Sequence, residues 1–144
     1  MDFSSLLVKR KESIPVSRLL EHVTHDMDFE MLAGYQGTER PVYTWDVNRP
    51  GLALSGYLDY FANDRVQILG NTEIHFMERM SPASLAKVMA NMFAFEIPVF
   101  VLSRNLVPQP VFLDMCNRSG IPVLRTVMST DEVISRIILF LSEE

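Results

Sequence analysis

Residues 99–141 decide the fold, and they read VFVLSRNLVPQPVFLDMCNRSGIPVLRTVMSTDEVISRIILFL. Val99–Leu102 is apolar without alternation, which is typical of a strand covered on both faces. Val111–Cys116 has the apolar spacing of a helix, which Gly120 ends, and Pro122–Arg125 supplies the next strand. A helix over Ser129–Leu141 follows. This order predicts a βαβα unit in the C-terminal third of an α/β domain, with a mainly parallel sheet flanked by helices.

The first part of the chain contains shorter elements. Apolar residues over Val16–Val23 recur at intervals of three and four, which predicts an amphipathic helix. Phe29–Ala33 and Val42–Val47 are rich in strand formers and are separated by the turn-like segment Gly34–Arg40. We therefore expect a β-hairpin or a pair of neighbouring strands there.

The middle of the chain predicts a strand and two helices. Arg65–Leu69 alternates and is followed by Gly70, so a helix should begin near Asn71 or Thr72. Ser81 and Pro82 then mark the start of another helix, because serine is a preferred N-cap and proline suits the first helical position.

The composition describes one globular domain. The chain has 144 residues, of which 48% are hydrophobic and 22% are charged, and this is enough to build a core without a disulfide or a structural metal. The lone Cys116 cannot form an internal bridge, which favours a reducing compartment.

The charge balance and the apolar runs limit the classes of partner. The 13 basic and 18 acidic residues give a net charge of −5, which argues against binding to nucleic acid. The longest aliphatic and aromatic run, Ile137–Leu141, is far shorter than the ~20 residues that a membrane span needs. We therefore expect a cytoplasmic protein that contacts neither nucleic acid nor membrane.

Two glycines have the spacing of a phosphate-binding loop. Gly51 and Gly56 are separated by four residues, but Tyr57 and Leu58 stand where such a loop needs Lys and Ser or Thr. A turn and a helix are therefore the preferred interpretation, and no cofactor-binding residue is predicted.

No pattern of metal ligands or catalytic residues is strong. His22 and His25 lie three residues apart, but two ligands do not make a metal site. His75 has no nucleophile pattern near it. Four further carboxylates are expected to be mostly solvated: Asp59, Asp64, Glu73 and Glu78. We predict neither a metal site nor a catalytic residue in this chain.

A possible anion site lies at the start of the last helix. Arg125 ends a strand, and Ser129 and Thr130 open the helix, whose first amides and dipole suit an anion. Asp131 and Glu132 bring negative charge to the same place, although Glu132 can belong to a capping box with Ser129. A capped helix beside a surface arginine is the preferred interpretation, and the anion site is the alternative.

Several motifs, in this order, resemble the N-terminal domain of HPr kinase/phosphorylase. They are Asn48–Tyr57, Asp59–Phe61, Arg65–Glu73, Ile97–Pro98, Ser103–Leu106, Gly120–Thr126, Ser129–Thr130 and Ser135–Arg136. The resemblance covers most of the chain, from Val16 to Leu141. The family often has glycine where Asn105 stands, and asparagine tolerates a positive φ, so the turn should be kept.

The resemblance implies a longer parent enzyme. Such an enzyme uses ATP and Mg²⁺ to phosphorylate a serine of HPr, the phosphocarrier of the sugar phosphotransferase system, and removes the phosphate by phosphorolysis. It works as a cytoplasmic homo-oligomer, a hexamer in the family, and controls carbon metabolism. Its P-loop and catalytic residues belong to a C-terminal kinase domain that residues 1–144 do not contain, so this chain alone is expected to be inactive.

Within the resembling motifs, one group of residues is predicted to be structural. Proline and glycine fix backbone shape, and Thr72 with Glu73 suits a helix start, so the group should join the sheet to its helices. Its members are Arg49, Pro50, Gly51, Gly56, Gly70, Thr72 and Glu73.

A second resemblance offers an alternative. Residues 99–141 are also similar to the regulatory domains of some phosphotransacetylases, which lack catalytic activity. This resemblance implies a small-ligand-sensing or interaction module.

Overall fold

The protein folds as an α/β domain, seen here in a computed structural model that describes residues 12–143 except the side chains of residues 22–27. The strands are β1 (Ile14–Pro15), β2 (Glu30–Ala33), β3 (Pro41–Val42), β4 (Val47–Asn48), β5 (Val66–Leu69), β6 (Phe100–Leu102) and β7 (Val123–Arg125). The α-helices are α1 (Val16–Met27), α2 (Gly51–Leu54), α3 (Asn71–Glu78), α4 (Pro82–Met92), α5 (Pro110–Ser119) and α6 (Thr130–Glu143), with a 3₁₀ turn at Tyr35–Gly37.

Five of the strands form a mainly parallel sheet in the order β2-β7-β6-β5-β4. The four strands from β4 to β7 are parallel neighbours, and each is joined to the next by a connection that contains helix. Strand β2 is antiparallel to β7 and closes one edge. The predicted α/β class and the βαβα unit are therefore confirmed.

Strands β5, β6 and β7 send side chains to two separate cores, because successive residues of a strand point to opposite faces. On one face Leu69, Phe100 and Val123 pack with residues of α2, α3, α4 and α5. On the other face Ile68 and Val101 pack with residues of α1 and α6. Coverage on both faces explains why β6 is apolar without alternation.

The structure confirms the predicted starts and ends of the helices. Ser81 Oγ accepts a hydrogen bond from the Ser84 amide, and Pro82 is the first residue of α4. Gly120 ends α5 with a φ of +68°, and Cys116 is buried on the core face of that helix. Helix α3 begins at Asn71, directly after Gly70. Within the described residues, no helix is long and apolar enough to cross a membrane.

The predicted pairing of Phe29–Ala33 with Val42–Val47 is wrong. Strand β2 pairs with β7, while β3 pairs with β1 and β4 pairs with β5. The intervening segment does not form a hairpin turn because it packs on the C-terminal end of α5. Its Gly34 amide donates a hydrogen bond to Asn117 Oδ1 at 2.8 Å, and the chain continues from there to a different sheet.

Arg40 fixes this segment by donating hydrogen bonds to three backbone carbonyls. Its Nε reaches Gly120 O at 2.7 Å, Nη1 reaches Ile97 O at 3.0 Å and Nη2 reaches Ser119 O at 2.7 Å. The planar guanidinium can span three acceptors, whereas the ammonium of lysine is a point charge. Arg40 therefore joins the end of α5 to the segment that leads into β6.

We expect Arg40→Lys to lower the free energy of unfolding by about 1–3 kcal/mol, since hydrogen bonds from a charged donor are lost at partly buried carbonyls. Urea unfolding measures the change. Arg79→Lys is the matched control, because Arg79 is exposed after the end of α3. Equal losses in the two variants would contradict the role given to Arg40.

Candidate functional site

The carboxyl ends of β5 and β6 bring the predicted signature residues together. Gly70 follows β5 and precedes α3, and Ser103 follows β6. Thr130, the first residue of α6, lies between Gly70 and Ser103, on the face of the sheet that α1 and α6 cover. Ligands of open α/β folds bind at the carboxyl ends of the strands, so the residues at these ends are the first candidates for function.

Glu73 is the buried centre of this region. Its side chain is only 5% exposed, and its Oε1 accepts hydrogen bonds from the Gly70 amide and from Arg49 Nη2, each at 2.7 Å. Among the four carboxylates expected to be mostly solvated, Glu73 is the buried exception, and the other three are exposed. Gly70, the N-cap of α3, has no side-chain oxygen, so the carboxylate reaches back from the third helical position and is held inside the protein.

Gly70 is closely surrounded by two side chains. A Cβ atom at this position would lie 2.7 Å from Arg49 Nη2 and 2.8 Å from Thr130 Oγ1. Thr130 is buried and forms a hydrogen bond of 2.6 Å with Ser103 Oγ. We call Arg49, Gly70, Glu73, Ser103 and Thr130 the strand-end cluster.

The strand-end cluster joins the starts of α3 and α6 to the connection that leaves β4. Among the described residues, every buried side-chain nitrogen and oxygen has a hydrogen-bond partner. The cluster is thus satisfied by its own members, as a structural joint should be. Arg49 differs from the others because 41% of its side chain is exposed.

The remaining signature residues lie near the cluster or on the surface. Pro50 is buried and precedes α2, and Gly51 is the first residue of that helix. Gly56, with a φ of +102°, turns the chain after α2. Thr72 is exposed in the first turn of α3.

Each residue of the predicted anion site contacts another group of the protein. The Arg125 guanidinium contacts Glu30 Oε1 through Nε at 2.9 Å and Nη2 at 2.5 Å, across β7 and β2. Thr130 turns towards Ser103, and Ser129 Oγ caps the helix by accepting from the Glu132 amide at 3.4 Å. Arg125 and Thr130 thus have partners within the protein, and the anion site stays a prediction.

Titratable groups elsewhere form no cluster in the described part of the chain. In residues 12–21 and 28–143 no three His, Cys, Asp or Glu side chains are grouped so that they could hold a metal ion. His22 and His25 lie outside the described side chains, and His75 is exposed on α3. Burial raises the pKa of the Cys116 thiol, with a smaller opposing effect from Arg40, so the thiol stays protonated and is a poor nucleophile.

A cavity of about 290 Å³ opens beside the strand-end cluster, at the carboxyl end of β4. Its lining includes Asn48, Arg49, Tyr57, Asp59, Tyr60 and Phe61. We call it the β4–α2 cavity. Sequence reasoning missed it, although the closely spaced aromatic residues after the Asn48–Gly51 turn were a usable signal.

The chain matches a family described as HPr Serine kinase N terminus over residues 14–141. It is 34% identical over 137 residues to the HPr kinase/phosphorylase of Chlorobium phaeovibrioides, covering 94% of this chain and 41% of the relative. It is 33% identical over 120 residues to that of Bacillus subtilis, covering 83% and 38%. The chain therefore spans about two-fifths of the length of these relatives.

A solved structure has a similar fold. It is the crystal structure of the CBS and DRTGG domains of the regulatory region of Clostridium perfringens pyrophosphatase complexed with activator, diadenosine tetraphosphate. The TM-score is 0.54 at 15% sequence identity, and the match covers 98% of this chain and 52% of that one. At this identity the similarity concerns the fold alone.

Proposed function

The chain belongs to the HPr serine kinase N-terminal family, and from this premise we propose that it is the non-catalytic N-terminal domain of an HPr kinase/phosphorylase. The observation that carries the proposal is the family match over residues 14–141, together with relatives of that name at 33–34% identity. In this view the domain serves regulation or assembly of the longer enzyme.

The activity of that enzyme is part of the proposal. It transfers phosphate from ATP, with Mg²⁺, to a serine of HPr and removes it again, and so controls carbon metabolism in the cytoplasm. The partners proposed for this domain are its own C-terminal kinase domain, HPr through the complete enzyme, and further copies of the enzyme in a homo-oligomer. ATP and Mg²⁺ belong to the kinase domain, and this chain binds neither.

The arrangement of the signature residues supports a non-catalytic role. Gly51 begins α2 and Gly56 follows it, and Tyr57 replaces the lysine that would contact phosphates. Arg49 and Glu73 form an ion pair of 2.7 Å with each other. Because these two groups satisfy each other, their pairing supports the structural role predicted for the signature residues.

We expect the purified chain to transfer no phosphate from ATP to HPr in the presence of Mg²⁺. Tyr57 and Leu58 stand where a P-loop needs Lys and Ser or Thr, and residues 12–21 and 28–143 contain no group of three His, Cys, Asp or Glu side chains that could hold a metal ion. Phosphoserine on HPr is measured by mass spectrometry, with the Bacillus subtilis relative as the positive control. Transfer above the protein-free background would refute the non-catalytic assignment.

A deletion experiment distinguishes a regulatory role of the domain from a role in assembly. In the Bacillus subtilis relative, the region that matches this chain is removed, and kinase activity and molecular mass in solution are measured. Loss of the oligomer indicates an assembly role. An intact oligomer with altered kinase or phosphorylase activity indicates a regulatory role, and no change in either contradicts the proposal.

A further inference from the structure

We propose that the β4–α2 cavity binds a small aromatic monoanion, such as an aromatic carboxylate, with Arg49 contacting the anionic group and Tyr57 and Tyr60 contacting the ring. This inference goes beyond the proposed function and does not depend on it, because binding is a property of this domain alone.

The place and size of the cavity suit a small ligand. It lies beside the carboxyl end of β4, next to the strand-end cluster. Its volume of about 290 Å³ is just below the range of ~300–1,000 Å³ that is typical of small-molecule sites. A single-ring or fused-ring compound fits this range better than a dinucleotide.

Three aromatic residues line the cavity: Tyr57, Tyr60 and Phe61. Phe61 is part-buried and packs edge-on against Phe95, with a centroid distance of 5.6 Å, which fixes one wall. Tyr57 is 50% exposed, and Tyr60 is 99% exposed. Exposed faces of tyrosine gain from stacking against a ligand ring.

The turn before Phe61 exposes Tyr60. The Phe61 amide donates a hydrogen bond to the Leu58 carbonyl oxygen at 3.1 Å, which closes a turn with Tyr60 at its third position. The φ of Tyr60 is +64°, the left-handed conformation that the third position of a type II turn has. The turn leaves the Tyr60 side chain almost fully exposed beside the cavity, where a ligand ring can reach it.

Arg49 supplies the positive charge and is held in a fixed orientation. Its Nη2 donates to Glu73, which is buried, while 41% of the Arg49 side chain is exposed and lines the cavity. A guanidinium has five donor hydrogens in a planar fork, so one bond to Glu73 leaves donors for a carboxylate.

A second negative charge on the ligand would be unfavourable. Asp59 also lines the cavity and is exposed, and Glu73 already compensates part of the charge on Arg49. Like charges in one cavity repel, so the site favours a ligand with one anionic group over one with two.

Indole-3-acetate is the probe that tests the proposal. The isotope-labelled chain is titrated with it, and backbone amide shifts are followed by NMR up to millimolar concentration. Saturable shifts are expected at residues 48–62. Indole-3-acetamide has the same shape without the charge, and acetate has the charge without the ring, and each should bind roughly tenfold more weakly or worse, which corresponds to about 1.4 kcal/mol.

Variants locate the binding site. Tyr57→Ala should weaken binding of indole-3-acetate by roughly fivefold or more, as expected for the loss of one aromatic contact. Tyr43→Ala is the matched control, since Tyr43 is 52% exposed and lines a different cavity. Arg49→Lys keeps the positive charge but loses the planar fork of guanidinium donors. The thermal melting of this variant is measured in parallel to show that it is folded.

Several results would overturn the proposal. Unchanged amides at residues 48–62, equal binding of the acetamide, or equal effects of Tyr57→Ala and Tyr43→Ala would each do so. Shifts of the same amides that depend on protein concentration without probe would instead assign the surface to a second copy of the chain. None of these outcomes affects the HPr phosphorylation assay, so a failure here is separate from a failure of the proposed function.

Discussion

Gly34→Ala is expected to lower the free energy of unfolding by about 3 kcal/mol or more, enough to unfold much of a marginally stable domain. A Cβ atom at this position would lie 2.0 Å from the carbonyl oxygen of Ile121 and 2.3 Å from its carbonyl carbon. These are backbone atoms directly before β7, so they cannot rotate away. Gly34 also has a φ of +71°, which adds a left-handed penalty of roughly 1–2 kcal/mol for alanine.

Variants of two other glycines distinguish the collision with Ile121 from the penalty of the left-handed backbone. Gly120 has a φ of +68°, but its nearest neighbour would lie 3.6 Å from a new Cβ atom, so Gly120→Ala measures the backbone penalty alone. Gly51 has no atom within 4 Å and no positive φ, and Gly51→Ala should leave stability unchanged or slightly higher. In urea unfolding, the loss of unfolding free energy should be largest for Gly34→Ala, smaller for Gly120→Ala and smallest for Gly51→Ala. A Gly34→Ala variant as stable as Gly51→Ala would show that the two backbones are not in contact.

The middle and the C-terminal part of the fold could be predicted from local patterns. Strands β5, β6 and β7 are short apolar runs next to glycine or proline, and helices α4, α5 and α6 begin or end at Ser81, Gly120 and Ser129. These signals are contained within a few residues, because a cap or a covered strand needs only its own neighbours in sequence.

The segment from β2 to β4 could not be predicted in the same way. Its strands are two to four residues long and partly exposed, so their alternation carries little information. Their partners are chosen by contacts far along the chain, such as Arg40 with Gly120 and Arg125 with Glu30. A pairing that depends on residues about 80–95 positions away leaves no local pattern.

The residues of the site could be predicted, but their contacts could not. The resemblance singled out Arg49, Gly70 and Glu73, and the structure brings these three together. The burial of Glu73 was missed because a carboxylate is rarely buried unless it is paired, and its partner lies 24 residues earlier. A capped helix was the preferred interpretation at Ser129 and Thr130, and the structure adds a contact without a local sequence signal, between the Thr130 hydroxyl and Ser103 Oγ.

Gly70→Val is expected to lower the free energy of unfolding by roughly 2–3 kcal/mol, within the usual range for overpacking in a closely packed region. The new side chain would displace both Arg49 Nη2 and Thr130 Oγ1, which lie 2.7 and 2.8 Å from the position of its Cβ atom. Movement of Arg49 weakens its ion pair with Glu73, and movement of Thr130 weakens the bond to Ser103.

A double-mutant cycle tests whether the collision with Arg49 causes this loss. Because Arg49→Ala removes the colliding guanidinium, it should make room for valine, so the loss from Gly70→Val should be smaller by about 1 kcal/mol or more in the Arg49→Ala background. Urea unfolding of the four proteins provides the coupling energy. Additive losses would place the cost at Thr130 alone. A Gly70→Val protein as stable as the parent would mean that this glycine is not kept for packing, and the strand-end cluster would then need a role in binding.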